Sequence, residues 1–459
     1  MNISSEFKGV QLGDKRLNRR IELLAEVFEK NHGQSICFSC QDWKTSKAAY
    51  RFFDNDRFDE DDIIEPHLAQ TYKRMNCINK DEKILVLHDS SEITFPGNKI
   101  IEGGGFMGAY EHNVTGKELS IKGMMMHSSL AATSTGVPLG LVAQKLWTRD
   151  IKDRRKIRNL GQNFTRVPVE EKESFKWIEG VNSVVAEFQP ERLVHICDRD
   201  ADMYELFFNS ISLNTNFIIR AVHQRATAKG KVKIFDRISK TTPCGEYELH
   251  LPKTHKRKAR TAKIKVRYYK VKLLPPVAKG QEYPPIELFV ISAKERESAI
   301  EDRVDWKLLT NMPITNFETA LEKINWYKER WNIEVFFKIL KSGFGIERSR
   351  LRHIDRLKKF VAFTCVMSWK IFWLSKISRE APESEGRYSF TREQRSILIK
   401  FERGSNRTRL KVSSNSNDFT IAFARLGGYL ARNSDPPPGP IVLWRAMMRL
   451  NDIQLGASL

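Results

Sequence analysis

The sequence has few cysteines, no apolar segment at its start and no long uncharged apolar run. Its six cysteines are thinly spread over 459 residues, which argues against a disulfide framework and fits a reducing cytosol. The first ten residues, MNISSEFKGV, are polar where a secretory signal would be apolar. The most apolar run, residues 360–369, ends at Lys370, well short of the ~20 residues that span a bilayer. We therefore expect no signal peptide and no membrane partner.

The charge is strongly one-sided. There are 77 Lys and Arg against 56 Asp and Glu, a net charge of +21. Hydrophobic residues make up 41% and charged residues 29% of the chain, an ordinary globular composition that excludes a mostly disordered protein. The length allows two or three domains. A positive surplus of this size favours a polyanionic partner, most often nucleic acid.

The start of the chain predicts an amphipathic helix with a basic outer face. Asp14 is placed as its N-cap. An apolar stripe recurs at i, i+4, i+7 and i+11, at Leu17, Ile21, Leu24 and Phe28. The opposite arc carries four cations, Lys15, Arg16, Arg19 and Arg20. An acidic run over 54–65 follows, and this reversal of charge predicts a domain boundary near residue 75.

Two short apolar runs predict buried strands that end in carboxylates. Residues 84–89 end at Asp89, before a predicted turn at Pro96 and Gly97, and residues 193–198 end at Asp198. A helix over 201–209 is expected directly after the second run. Residues 124–142 predict a hairpin that turns at 135–138. Because open α/β sheets place active sites where strands end, both aspartates are candidate site residues.

The remaining pattern suggests three domains. Residues 1–75 would form a helical domain, 76–377 an α/β core with a β-rich insertion at about 213–310, and 378–459 a helical C-terminal domain. Within the insertion, residues 253–272 contain ten basic residues and no acidic one. This segment could be a solvated strand face, but it favours contact with a polyanion backbone.

One predicted helix, within 318–341, places cations around a single carboxylate. Its polar residues fall within about 80° of arc, and they are Tyr327, Arg330, Glu334, Lys338 and Lys341. The rest of the helix is apolar, whereas a surface helix shows a wide polar face. The alternative is a ladder of i,i+4 ion pairs worth ~0.3–0.5 kcal/mol each.

Together Asp89, Asp198 and Glu334 supply three carboxylates that could hold hard divalent ions. Two such ions ~3.5–4 Å apart serve phosphoryl transfer. The alternative for either aspartate is a cap or turn residue. Cys37 and Cys40 are too isolated for a zinc site, because no second Cys or His pair lies at ligand spacing.

The spacing Tyr327-(two residues)-Arg330-(three residues)-Glu334-(six residues)-Lys341 resembles the YREK signature of DDE transposases of the bacterial insertion-sequence-four family. The resemblance covers nearly the whole chain. It includes LGDKRL at 12–17, AYRF at 49–52, CDRDAD at 197–202, Trp306, and ARLGG at 424–428. In the CDRDAD run, Asp200 stands where the family often has Glu.

This resemblance implies an RNase H-like mixed-sheet core in which Asp89, Asp198 and Glu334 bind two Mg²⁺ ions, with Mn²⁺ as a substitute. It implies cut-and-paste transposition through a DNA hairpin, by a homodimer that holds two transposon ends. The expected DNA contacts are Tyr327, Arg330, Lys338, Lys341, Arg220, Arg348, Arg350 and the N-terminal cations, and Trp306 would receive a flipped base. The partners would be double-stranded terminal inverted repeats and target DNA, in a bacterial, cytoplasmic, nucleoid-associated protein.

Two other functions fit the same residues. A metal-dependent nuclease would cut DNA without joining it, and a DNA-binding regulator would occupy the ends without cutting. The presence of all three carboxylates favours an enzyme over a regulator.

Overall fold

The computed structural model describes residues 3–31, 35–95, 101–111, 118–149, 167–228, 232–251, 258–296, 303–404 and 410–457. The chain divides into two compact units. The first comprises Met1–Cys77, Ser90–Lys156 and Asn332–Leu459, and the second comprises Ile78–Asp89 and Ile157–Trp331. This division does not follow the order of the chain, since the first unit contains both chain ends.

The structure is mixed α/β, as the sequence predicts. The helices are α1 (Lys15–Lys30), α2 (Ile36–Cys40), α3 (Trp43–Phe53), α4 (Glu60–Asn76), α5 (Phe175–Glu187), α6 (Tyr204–Ser212), α7 (Ile234–Lys240), α8 (Phe317–Lys328), α9 (Trp331–Lys338), α10 (Ile354–Glu380), α11 (Gly386–Ser389), α12 (Arg392–Gly404), α13 (Ser416–Leu426) and α14 (Pro440–Ala457). The strands are β1 (Ile84–Phe95), β2 (Gly105–Glu111), β3 (Glu118–Ala132), β4 (Pro138–Trp147), β5 (Leu193–Cys197), β6 (Asn216–Arg220), β7 (Gly245–Leu251), β8 (Arg260–Leu273), β9 (Ile286–Glu295) and β10 (Asp305–Thr310).

In the first unit, the N-terminal helices pack on the long helix α10. Most side chains of α10 are buried. Aromatic rings pack there: Phe28 and Phe53 contact both Phe360 and Phe363, and Phe7 stacks on Phe363. By length and composition α10 could cross a membrane, but 83% of its most apolar stretch is buried within the protein. The buried core helix of a globular protein can be as long and apolar as a membrane-spanning helix. Because α10 is mostly buried, it forms the core of this unit.

A buried charged network joins the 3-10 helix Ile3–Phe7 to α4. Glu6 Oε2 lies 2.6 Å from His67 Nδ1, and Arg74 Nη1 donates to Glu6 Oε1 at 2.8 Å. His67 Nε2 accepts from the Leu141 N–H of β4, which places the proton of the neutral ring on Nδ1, facing Glu6. Burial would raise the pKa of Glu6, but the hydrogen bonds and charges of His67 and Arg74 hold it below 4.5. Burial lowers the pKa of His67 below 6.5.

The predicted hairpin is confirmed in the first unit. β3 pairs antiparallel with β4, and its other end pairs antiparallel with β2. The Thr133 Oγ1 accepts from the Val137 N–H across the turn. The predicted turn at Pro96 and Gly97 lies outside the described residues.

In the second unit, the strands form one mixed sheet in the order β1-β5-β6-β10-β9-β8-β7. β1, β5 and β6 are parallel, and the other neighbours are antiparallel. The helices α5, α6 and α7 supply buried apolar side chains that pack with those of the sheet. The strands at 213–310 therefore extend the sheet of the parallel strands rather than forming a second one.

Three predicted elements differ in the structure. β1 does not end at Asp89 but continues to Phe95, because its second half lies beside β3. The helix expected over 201–209 starts later, at Tyr204, because the 3-10 helix Arg199–Ala201 precedes it. The helix expected over 318–341 is interrupted after Lys328, and Ile339–Gly343 is a π-helix.

Candidate active site

The sheet of the second unit aligns three predicted site residues on neighbouring strands. The pairing of Leu87 with Ile196, continued by two residues, sets Asp89 opposite Asp198. The pairing of Cys197 with Ile219, continued by one residue, sets Asp198 opposite Arg220. Neighbouring strands lie ~4.8 Å apart, and residues at one level point to the same face. The two aspartates and the arginine therefore form a row at one level of the sheet, with Asp89 on β1, Asp198 directly after β5 and Arg220 at the end of β6.

Asp198 is both a strand-end residue and a cap. Its backbone is extended, with φ −83° and ψ −162°, and its Oδ1 accepts from the Asp200 N–H at 2.8 Å at the start of the 3-10 helix. Burial raises the pKa of Asp198 above 3.8, and the charge of Asp200 adds to the rise while Arg330 opposes it. The ionised form of Asp198 is therefore costly here and is favoured by any cation nearby.

Arg330 provides such a cation. Its Nη1 lies 3.2 Å from Asp89 Oδ2, and each side chain is only 15% exposed. Arg330 follows α8 by two residues, where its N–H donates to the Tyr327 carbonyl at 3.1 Å. Burial raises the pKa of the Tyr327 phenol, and the charges of Arg330 and Arg220 oppose that rise. The tyrosine and both arginines thus share one electrostatic environment with the aspartates.

Trp306 lies beside this cluster. It is half-buried on β10, and its ring meets the Tyr327 ring edge to face at 5.7 Å between centroids. The arrangement leaves part of the indole accessible. The structure therefore brings together six predicted residues of the second unit: Asp89, Asp198, Arg220, Trp306, Tyr327 and Arg330.

The other half of the motif belongs to the first unit. Glu334 is half-buried and Lys338 exposed, both on α9, and Lys341 lies in the π-helix that follows. Because the helix is interrupted, the 80° arc expected for the five motif residues is wrong. Within the described parts of the chain, no three His, Cys, Asp or Glu side chains are grouped so as to hold a metal ion. The position of Glu334 as a third ligand stays a prediction.

Comparison with known families decides what this site belongs to. A family model described as a transposase DNA-binding domain matches residues 2–58, and one described as a transposase DDE domain matches residues 80–369. The second match covers more than half of the chain. The chain belongs to the DDE transposases. It is an enzyme of DNA transposition, with DNA as its partner, and domains of this kind generally use divalent metals.

The transposase's N-terminal cations lie in the DNA-binding match. The predicted cap is confirmed, since the Asp14 carboxylate accepts from the Arg16 N–H at 2.8 Å. Lys15, Arg16 and Arg19 are exposed and Arg20 is half-buried, so α1 presents the predicted basic face.

Arg348 and Arg350 are exposed and line a cavity of about 250 Å³ in the first unit. Ser35 and Tyr50 line the same cavity. The cavity is therefore lined both by the segment that follows Glu334 and by the part of the transposase that matches a DNA-binding domain.

The basic segment is less one-sided in the structure than in the sequence. Residues 253–257 lie outside the described residues. In β8, three cations are paired with acids on β7 and β9: Arg260 with Glu295, Lys265 with Glu246, and Lys270 with Glu287. A count along the sequence misses these acids because they come from neighbouring strands.

Sequence reasoning also missed the role of Asp202. Its side chain is fully buried, and its Oδ2 accepts from the N–H groups of Val222 and His223 at 2.7 and 2.8 Å. Its Oδ1 lies 2.5 Å from Arg225 Nη1. Asp202 therefore anchors the chain just after β6, while Asp200 is exposed. Nothing in the sequence pairs Asp202 with Arg225.

A second missed feature is a buried pair of histidines on β1 and β5. His88 Nε2 and His195 Nδ1 are 2.8 Å apart, and both side chains are buried. Burial lowers the pKa of His88 to about 3 and that of His195 well below 6.5. This neutral pair links β1 to β5 near the level of Asp89 and Asp198. A polar residue in each otherwise apolar run was the available signal.

Proposed function

We propose that this transposase moves an insertion sequence by cut-and-paste, as in the insertion-sequence-four family. The observation that carries the proposal is the row of Asp89 and Asp198 on neighbouring strands with Arg330 bound to Asp89. Tyr327 and Trp306 lie in the same cluster, and the sequence resemblance to the YREK signature adds Glu334.

Under this proposal, Asp89, Asp198 and Glu334 hold two Mg²⁺ ions, which Mn²⁺ could replace. The oxygen donors suit hard divalent ions. The burial that raises the pKa of Asp198 leaves a carboxylate that a cation would stabilise. When bound, two Mg²⁺ ions supply Lewis-acid stabilisation of the attacking and leaving oxygens in an in-line displacement.

The protein's own side chains would position the DNA. Arg220, Tyr327, Arg330, Lys338 and Lys341 would hold phosphates next to the scissile bond. An arginine suits this task because its planar guanidinium binds phosphate oxygens in pairs. Trp306 would stack on a base extruded from the duplex, an interaction worth ~1–3 kcal/mol.

The reaction would proceed as successive phosphoryl transfers. Water first attacks the phosphodiester at the transposon end and releases a 3′-OH, which then attacks the opposite strand and closes a hairpin. A second water opens the hairpin, and the freed 3′-OH attacks target DNA. No covalent enzyme intermediate is needed, so no side chain is assigned as nucleophile. Positioning and charge stabilisation supply the catalysis.

The rest of the chain would select and pair the ends. The basic face of α1 would bind the terminal inverted repeats, and Arg348 and Arg350 would add phosphate contacts. The active form would be a homodimer that holds two ends, with residues 378–459 contributing contacts. A cytoplasmic location at the bacterial nucleoid is part of the same proposal.

A supercoiled plasmid that carries the cognate ends, incubated with the protein and Mg²⁺, tests this function. We expect hairpin intermediates and joined products. Cuts without joining would indicate a nuclease, and a gel shift without cleavage would indicate a regulator.

A further inference from the structure

The guanidinium of Arg330 lies on Asp89, where the proposed function requires a divalent metal ion. Its Nη1 lies 3.2 Å from Asp89 Oδ2, and each of the two side chains is only 15% exposed. The charge of Arg330 also acts on Asp198, the neighbouring carboxylate of the row. One protein cation thus faces both strand-borne carboxylates.

A pair with this little exposure is screened weakly by solvent, so its electrostatic energy is substantial. A divalent cation that approached Asp89 would meet the positive charge of Arg330 at short range. A DNA phosphate near the row would attract Arg330 instead, and a bidentate arginine–phosphate contact is among the stronger charged hydrogen bonds. The phosphate and Asp89 therefore compete for one guanidinium.

We propose that Arg330 is an exchangeable counter-cation of Asp89, so that DNA binding and divalent-metal binding promote each other. In the DNA-free protein Arg330 neutralises Asp89 and opposes metal binding. When a DNA phosphate takes Arg330, Asp89 becomes available to the metal. This inference rests on the proposed function, in which Asp89 is a metal ligand and Arg330 a phosphate ligand.

The coupling must be reciprocal, because it is a free energy shared by two binding equilibria. If DNA raises the affinity for metal by some factor, metal raises the affinity for DNA by the same factor. A transposase built in this way holds its metals weakly until a duplex is in place.

The test measures Mn²⁺ binding to the full-length protein without DNA, from the free-ion signal in electron paramagnetic resonance. We expect Arg330→Gln to raise the Mn²⁺ affinity by about ten-fold, the factor that corresponds to one charged hydrogen bond. Arg220→Gln is the matched control. It removes an arginine from the same row, but one whose Nη2 contacts the Asp305 carbonyl. Arg220→Gln removes the same charge but not the contact with Asp89. We therefore expect it to raise the Mn²⁺ affinity by less than about three-fold.

The second measurement is the affinity for a fluorescein-labelled duplex of 30 base pairs of random sequence, with and without Mn²⁺. Mn²⁺ should strengthen DNA binding by the wild-type protein about ten-fold more than by Arg330→Gln. Should Arg330→Gln fail to fold by circular dichroism, Arg330→Lys replaces it, with a rise in DNA-free Mn²⁺ affinity of about three-fold because the charge remains but the guanidinium fork is lost.

The outcomes separate this inference from the function on which it rests. If Asp89→Asn abolishes Mn²⁺ binding but Arg330→Gln leaves it unchanged, or if Arg220→Gln raises it equally, the exchange is wrong and the metal site stands. If Asp89→Asn leaves Mn²⁺ binding unchanged, Asp89 is not a ligand and both proposals fall.

Discussion

The three aspartates Asp198, Asp200 and Asp202 lie within five residues, but replacing each with asparagine should affect stability and DNA cleavage differently. Asp202→Asn keeps the size of the side chain and one oxygen that can accept from Val222 and His223. Its amide would face Arg225, whose side chain is 13% exposed, and would leave that charge without its carboxylate. Breaking a buried ion pair from one side costs ~3–5 kcal/mol. Because Arg225 also donates to the Asp202 carbonyl, we expect the lower end, about 3 kcal/mol.

Urea denaturation followed by circular dichroism measures this loss. Asp200→Asn is the matched control and should change the unfolding free energy by less than ~0.5 kcal/mol, because Asp200 is exposed. Asp198→Asn should not destabilise the protein, because burial already raises the pKa of that carboxyl. It should instead abolish DNA cleavage. If Asp202→Asn left the unfolding free energy unchanged, or if Asp200→Asn lowered it more than Asp202→Asn does, the structural role assigned to Asp202 would be refuted.

Three further predictions concern Trp306, His67 and the cations of β8. Trp306→Ala should reduce hairpin formation ~10–100-fold relative to the first nick, as measured on gels of cleavage products, and an equal loss of nicking would contradict the stacking role. Burial keeps His67 neutral in the folded protein, whereas in the unfolded chain it takes up a proton near pH 6.5. The free energy of unfolding should therefore decrease as the pH falls below 6.5, by up to ~1.4 kcal/mol per pH unit. Urea titrations should show a shallower fall for His67→Gln, and identical slopes would exclude this linkage. Replacing both exposed lysines Lys263 and Lys272 with Gln should reduce the slope of log affinity for DNA against log salt concentration by about 1.8. The control Lys270→Gln should change this slope less, because Lys270 is paired with Glu287. An unchanged slope in the double variant would show that β8 does not contact DNA.

Local patterns predicted much of the fold. Apolar runs gave the positions of β1 and β5, and the spacing of Leu17, Ile21, Leu24 and Phe28 gave α1 with Asp14 as its cap. These features depend on residues close in sequence. The same apolar runs led to Asp89 and Asp198, although β1 continues through Asp89 and only Asp198 follows the end of its strand.

Features that depend on distant residues were not predictable in this way. The extension of β1 past Asp89 depends on β3, and the role of Asp202 depends on Arg225. The acids that neutralise β8 cations lie on other strands. The interruption after Lys328 also escaped periodicity, because the apolar pattern on both sides of it remains helical.

The most direct test of the central claim is Glu334→Ala in the plasmid assay with Mg²⁺. Glu318→Ala, an exposed glutamate on α8, is the matched control and should cleave like the wild type. We expect Glu334→Ala to abolish cleavage while binding of the transposon ends, measured by gel shift, stays intact. Cleavage by Glu334→Ala at the wild-type rate would contradict the assignment of Asp89, Asp198 and Glu334 as the catalytic carboxylates.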